Sequence, residues 1–170
     1  NVFGDCVLSL SSLNIGTMTL LLPWTHPLYG ITALLLGAAI GSFLNVAIYR
    51  LPRGLSVNVP KRSFCPVCKK PIPMWRNIPL VTWLLQRGKC AECDCSIPVR
   101  YFIVELLTAL VWGASWLYFD DPSVAIFFML LSSIFIVISA IDIELMVIPR
   151  QLTISGSILG LSMAAWHPEF

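Results

Sequence analysis

Charge is scarce in this chain. Only 12% of its 170 residues are Asp, Glu, Lys or Arg, whereas 57% are hydrophobic. A soluble domain carries about 25% charged residues, so the composition excludes an ordinary cytosolic globular domain. Positive charge is also absent from most of the sequence, since ten of the eleven Lys and Arg residues lie between positions 50 and 100. The chain is therefore polarised rather than basic.

Long uncharged runs predict helices that cross a membrane. A helix needs about 20 mostly apolar residues to span a bilayer core of ~30 Å. Residues 28–48 fit without any charge, 102–119 fit with one carboxylate, and 124–141 fit without charge. The shorter apolar run 152–166 predicts a fourth helix. We expect an all-α integral membrane protein with about four transmembrane helices.

The charge distribution divides the chain into three parts. Residues 1–50 form an N-terminal segment and the first transmembrane helix, 51–101 a basic loop module, and 102–170 the remaining helices. Within the first part, we interpret residues 1–27 as a signal-like or interfacial stretch and assign no function to it. The chain begins at Asn1 and ends after an apolar run. We therefore expect a fragment of a longer reading frame.

Topology follows from the positive charges. Short basic loops stay on the cytoplasmic side of a membrane, so the 51–101 loop is predicted to be cytoplasmic. The next helix leads outward to the acidic turn Asp120-Asp121, and the third helix returns. Asp142 is therefore expected on the same face as the basic loop.

The loop carries two paired cysteine motifs. Cys65 and Cys68, then Cys90 and Cys93, give the spacing C-x2-C-x21-C-x2-C, and each pair precedes an Ile-Pro dipeptide by the same three residues. Two similar knuckles around one ion would produce this repeat. A loop of this size has too small a core to hold itself, and a four-thiolate site adds folding free energy directly. We expect these four cysteines to bind structural zinc.

Other interpretations of the cysteines are open. Four thiolates can also hold iron, as in a rubredoxin-like site, and unpaired structural cysteines are the plainer alternative. Disulfides are disfavoured in a reducing cytosol. Cys95 matches Lys70 in the repeat and is expected to be a bystander, and Cys6 has no partner motif. A basic metal module could bind nucleic acid, but the loop lacks a recognition helix, so no nucleic-acid partner is expected.

Polar groups in the apolar segments need a physical reason. One interpretation of Asp142 is a carboxylate at the water boundary that pairs with Arg150. Glu144 would point away from Asp142 on a helix, because two residues turn the helix by about 200°. Glu105 is expected to complement the dipole of the first turn of its helix. Asn45, which follows Gly37 and Gly41, predicts close helix packing with an interhelical hydrogen bond.

Several of these motifs together resemble the prepilin peptidases, the bacterial type IV leader peptidases. The resemblance rests on 41–52 (GSFLNVAIYRLP), both knuckles, 77–90 (NIPLVTWLLQRGKC), 100–106 (RYFIVEL) and 140–142 (AID) followed by Ile148-Pro149 and Leu152-Thr153. It covers positions 36 to 161 in the same order. The sequence is similar to the N-terminal portion of that family.

The resemblance implies a membrane aspartic endopeptidase of the bacterial inner membrane. Such an enzyme cleaves the basic leader of type IV prepilins or type II secretion pseudopilins after a Gly at the cytoplasmic face. It can also methylate the new N-terminus with S-adenosylmethionine. Asp142 matches the first catalytic aspartate, and Cys65, Cys68, Cys90 and Cys93 match the zinc-type cysteines.

The sequence departs from the family pattern in one important respect. The second catalytic aspartate of the family lies in a Gly-x-Gly-Asp motif, which these 170 residues do not contain. Arg150 and Glu144 also stand where the family usually has Asp. Because two carboxylates divide the acid and base roles, we expect this stretch alone to be inactive. The alternative is a non-catalytic membrane zinc-module protein, an assembly partner in pilus formation or type II secretion. Oligomeric state is not predicted.

Overall fold

The computed structural model describes residues 27–58, 64–65, 67–73 and 76–167. Five helices follow one another: α1 (Pro27–Arg50), α2 (Val81–Leu85), α3 (Val99–Tyr118), α4 (Pro122–Leu145) and α5 (Arg150–Trp166), with a 3₁₀ turn at Leu51–Arg53 after α1. No β-sheet forms within the described ranges, so the all-α prediction is confirmed. The apolar stretch predicted before residue 27, and Cys6 within it, lie outside the described residues.

Three of the helices are long and apolar enough to cross a membrane, namely α1, α3 and α4. They correspond to the three charge-poor runs of the sequence. At 1.5 Å per residue, the 24 residues of α1 and of α4 each extend about 36 Å, and the 20 residues of α3 about 30 Å. Each can therefore traverse a hydrocarbon core of ~30 Å.

The fourth predicted helix forms as α5, although it is only 17 residues long, or about 26 Å. It packs antiparallel to α4. Leu152 at its start contacts the core beside Val137 and Ile141 of α4, and His167 just after its end lies 2.9 Å from the Ser123 hydroxyl at the start of α4. The helix thus returns from the Asp142 end of α4 to the opposite end.

Small residues allow the backbones of α1 and α3 to pack in direct contact. A Cβ on Gly41 would lie 2.7 Å from the Cα of Glu105, and one on Gly37 would lie 2.9 Å from the Cα of Ala109. The Asn45 amide, which is 1% exposed, donates to the Tyr101 carbonyl across the same contact at 3.1 Å. The predicted close packing and interhelical hydrogen bond are both confirmed.

The acidic turn before α4 works as a helix cap. The Asp121 carboxylate accepts a hydrogen bond from the Ser123 backbone N–H at 2.8 Å and from the Ser123 hydroxyl at 2.6 Å. Pro122 occupies the first helical position, where its missing N–H costs nothing. The turn therefore fixes where α4 begins.

Candidate functional site

The two cysteine knuckles have the same backbone hydrogen bonds. In the first, the Lys69 N–H donates to the Cys65 carbonyl at 2.9 Å, and the Cys65 N–H donates to the Lys70 carbonyl at 3.0 Å. The second repeats both bonds 25 residues later, at 2.9 Å each, from Asp94 to Cys90 and from Cys90 to Cys95. Lys69 and Asp94 also share a left-handed backbone, with φ of 58° and 54°. The sequence repeat is therefore a structural repeat.

The knuckles bring four thiols together. The sulfurs of Cys65, Cys90, Cys93 and Cys95 all lie within 4.8 Å of one another. The Cys65 and Cys93 sulfurs are 3.8 Å apart, which matches the edge of about 3.8 Å in a tetrahedron with metal–sulfur bonds of ~2.3 Å. The cluster can therefore hold a metal ion. Thiol ligands in this geometry suit zinc, and a tetrahedral four-sulfur set suits iron equally.

One predicted ligand lies outside this group of four. Cys68 is half-buried and interacts with the thiols of Cys65 and Cys93, but the group that shares one centre contains Cys95 in its place. Cys95, expected to be a bystander, has its sulfur 3.4 Å from that of Cys65. The sequence repeat gave no signal for this, because the matching position in the first knuckle is a lysine. Its position two residues after Cys93 was the available signal.

The backbone around the first knuckle favours one thiolate. The Cys68 N–H is the main group that lowers the pKa of Cys65, and the Val67 N–H adds to it, so the pKa falls to about 6. For Cys68 the Lys70 N–H also acts to lower the pKa, but loss of solvent and the thiols of Cys65 and Cys93 outweigh it and raise the pKa to about 11. A divalent cation binds thiolates and not thiols, so a bound ion would favour deprotonation of the neighbouring thiols as well.

An acidic bridge links the knuckles on their outer side. Glu92 of the second knuckle pairs with Lys70 of the first at 3.0 Å and with Arg76 at 2.9 Å. Hydrogen bonds from Lys70 and then Arg76 lower the pKa of the Glu92 carboxyl. All three side chains are at least 41% exposed, so the bridge contributes little to stability. It orients one knuckle against the other.

A cavity of 240 Å³ lies between the cysteine loop and the helix ends. Cys65 and Cys90 line one side, and Ser42 of α1 with Tyr101 and Glu105 of α3 line the other. The loop therefore rests on the bundle through a partly open pocket rather than a closed contact.

Glu105 has a different role from the one expected. It lies in the second turn of α3, and the first turn carries no acidic residue, so the helix-dipole interpretation was wrong. Its side chain is 7% exposed and accepts a hydrogen bond from the Leu80 N–H at 2.7 Å. Leu80 has φ 63° and ψ −54°, and the next residue's N–H donates back to the Pro79 carbonyl at 2.6 Å, which is a classic γ-turn geometry. The carboxylate thus anchors a strained loop residue to the bundle.

The predicted catalytic residue lies at the same end of the bundle as the loop. Asp142 is exposed in the last turns of α4, and its carboxylate has no ion pair among the described residues, so the expected pairing with Arg150 does not form. Two residues on, Glu144 forms an ion pair with Arg100 at the start of α3. Because α3 begins directly after the loop, this pair ties the Asp142 end of α4 to the loop.

Taken together, these features define a helical membrane protein with several spans and a metal-competent cysteine loop between the first two. Residues 35–119 match the family model described as the bacterial peptidase A24 N-terminal domain. The chain belongs to this family, and the expected resemblance to the N-terminal portion of prepilin peptidases is confirmed.

Individual relatives extend the likeness beyond residues 35–119. A prepilin leader peptidase/N-methyltransferase of Myxococcus xanthus is 36% identical over 81% of this chain and 41% of its own length. One of Neisseria gonorrhoeae is 36% identical over 85% of this chain and 57% of its own. A protein of Escherichia coli named type 4 prepilin-like proteins leader peptide-processing enzyme is 36% identical over 78% of this chain and 55% of its own length. The chain spans about half the length of the curated relatives it matches. No solved structure matches it significantly.

Proposed function

We propose that this chain contributes Asp142 and the cysteine loop to a membrane endopeptidase that removes the leader of type IV prepilins or pseudopilins. One observation carries the proposal: an exposed carboxylate ends a membrane-spanning helix at the same end of the bundle as the basic loop. In a bilayer, this is where a basic leader and the start of an apolar substrate helix would meet. We place this end on the cytoplasmic side of the inner membrane, on the positive-inside rule.

The chemistry proposed for Asp142 is that of an aspartic peptidase. As the ionised member of a carboxylate pair, it takes a proton from water, whose oxygen attacks the carbonyl carbon of the scissile bond. The protonated partner donates to the carbonyl oxygen, which gives a tetrahedral diol. Asp142 then passes the proton it took from water to the amide nitrogen, one diol hydroxyl returns its proton to the partner carboxylate, and the C–N bond breaks to release an amine and a carboxylic acid. The exposed Asp142 can act as the base, and a second carboxylate is required for the acid role.

Asp142→Asn in the intact enzyme tests this proposal. Loss of a general base should lower prepilin cleavage by about 10²- to 10⁴-fold. Asp120→Asn is the matched control, since Asp120 is also exposed but precedes the opposite end of α4. Cleavage and membrane insertion are measured on the same preparations. Equal cleavage by both variants would refute the role of Asp142.

We further propose that the cysteine cluster binds zinc as a structural ion. When bound, the ion would link the two knuckles, which have almost no apolar core of their own, and so hold the loop over α1 and α3. Cys65, Cys90 and Cys93 would contribute three of the thiolates. Metal analysis of the purified chain, before and after a chelator, checks this assignment, and zinc-free protein with an unchanged loop fold would contradict it.

Methylation of the new N-terminus is proposed from the names of the relatives. S-adenosylmethionine would supply the methyl group. The cavity beside the loop, at 240 Å³, is slightly smaller than typical ligand pockets of about 300–1,000 Å³. Its carboxylate and aromatic side chains, Glu105 and Tyr101, suit a cationic sulfonium. Photocrosslinking of labelled S-adenosylmethionine should modify residues 76–105, and labelling confined to α4 and α5 would exclude this cavity.

A further inference from the structure

The cysteine loop holds one thiol more than a tetrahedral site needs. Cys65, Cys68, Cys90, Cys93 and Cys95 are all free cysteines, and a closed structural zinc site takes four ligands. The two knuckles contribute equivalent pairs, so Cys95 is the additional thiol. It has no counterpart in the first knuckle, where Lys70 takes its position.

The structure places Cys95 in a ligand position. Its sulfur belongs to the group of four within 4.8 Å and lies 3.4 Å from the sulfur of Cys65. Its backbone is fixed within the knuckle, because its carbonyl accepts the Cys90 N–H at 2.9 Å. The side chain can therefore reach the centre without a change in the main chain.

Cys68 occupies the competing position. Its location in the structural repeat is equivalent to that of Cys93, which is inside the group, and its thiol interacts with those of Cys65 and Cys93. Cys68 is therefore the second candidate for the place that Cys95 fills. Three thiols are thus common to both possible sets, and the fourth place has two candidates.

We propose that Cys95 and Cys68 are interchangeable as the fourth ligand of a metal held by Cys65, Cys90 and Cys93. The proposal rests on the metal site proposed above and is independent of the peptidase reaction. Loss of either thiol, for example by alkylation or oxidation, leaves four ligands. The loop would then keep its ion where a four-cysteine site would lose it.

Co²⁺ is the probe for the test, because thiolate-to-cobalt charge-transfer absorption reports the number of bound thiolates. The detergent-solubilised 170-residue chain carries Cys6→Ser throughout, which removes the one thiol outside the loop. Cys68→Ser, Cys95→Ser and the double variant are compared with this background. Each sample is titrated with Co²⁺, and release to a chelator is then timed.

Each single variant should keep the full charge-transfer intensity per bound ion and release it at a rate similar to that of the background. The double variant should lose about a quarter of that intensity and release the ion at least about tenfold faster. If Cys68→Ser alone loses about a quarter of the background intensity and releases the ion about tenfold faster, Cys95 is a bystander. If Cys95→Ser alone shows this loss, Cys68 is not a ligand. Either result overturns the proposal, whether or not the double variant folds.

A background protein that binds no Co²⁺ would overturn the proposal together with the metal site. This failure is distinct from failure of the peptidase assignment, which the Asp142→Asn comparison tests without reference to metal.

Discussion

Gly41→Ala should loosen the contact between α1 and α3. A Cβ at this position would lie 2.7 Å from the Glu105 Cα and 3.2 Å from the Thr108 Cβ. Carbon atoms that are not bonded need about 3.5–4.0 Å, so the two helices would have to separate by roughly 1 Å at this level. The 3.1 Å hydrogen bond from Asn45 to the Tyr101 carbonyl would then lengthen to about 4 Å, beyond hydrogen-bonding range.

The expected cost can be worked from these contacts. Overpacking of a close interface costs about 1–3 kcal/mol, and loss of the buried Asn45 bond moves the value toward the upper end. Alanine has a higher helix propensity than glycine, and this offsets up to about 1 kcal/mol of the destabilisation. We expect a net loss of about 1–3 kcal/mol in the free energy of unfolding, or roughly a 5- to 150-fold change in the equilibrium.

Unfolding in mixed micelles with an increasing fraction of SDS measures this change. Gly160→Ala is the matched control, because a Cβ at Gly160 meets nothing within 4 Å. The control should be as stable as the unsubstituted chain or slightly more so. If Gly41→Ala unfolds at the same SDS fraction as Gly160→Ala, close packing of α1 on α3 is not what holds these helices together.

Three further changes test other contacts. Glu105→Leu removes the acceptor of the Leu80 N–H and should cost about 1–3 kcal/mol locally, seen as faster hydrogen exchange of that amide, whereas Glu105→Gln should keep most of its protection. Glu144→Gln should lower kcat of prepilin cleavage with little change in KM, and the exchanged pair Arg100→Glu/Glu144→Arg should recover it; equal loss in both would exclude a positioning role for the ion pair. The Ser123 hydroxyl, and after it the Ser123 backbone N–H, donate to Asp121 and lower the pKa of its carboxyl, so the ionised form is favoured in the folded state. Its stabilising effect is therefore present above its unfolded pKa near 3.9 and is lost as the pH falls through the lower folded pKa. Thermal unfolding of Asp121→Asn should lack this acid-dependent component, and identical pH profiles would contradict the cap.

The helices were predictable because the membrane imposes a simple rule. Spanning segments must be apolar and about 20 residues long, and the predicted runs 28–48, 102–119 and 124–141 differ from the observed helices by only a few residues at each end. The α1–α3 contact was also predictable, since glycines four residues apart with a following Asn indicate close packing. Both depend on local patterns that a sequence displays directly.

The details of the loop were less accessible. The repeat predicted two knuckles, but which thiols share a centre depends on side-chain rotamers that spacing does not determine. The role of Glu105 depends on a contact with Leu80, 25 residues earlier, and nothing in the local sequence of α3 indicates it. Likewise, Arg150 lies close to Asp142 in sequence, but the ion pair at this end of the bundle forms between Arg100 and Glu144.

The turn between α4 and α5 limits how the proposed catalytic aspartate can move. Only four residues, 146–149, connect the two helices, and Met146 closes α4 in a left-handed conformation with its N–H bonded to the Asp142 carbonyl at 2.8 Å. A shift of α4 along the membrane normal would therefore move α5 as well. To adjust the depth of Asp142 in the membrane to a particular substrate, the two helices must tilt as a unit, or the substrate must change its own position.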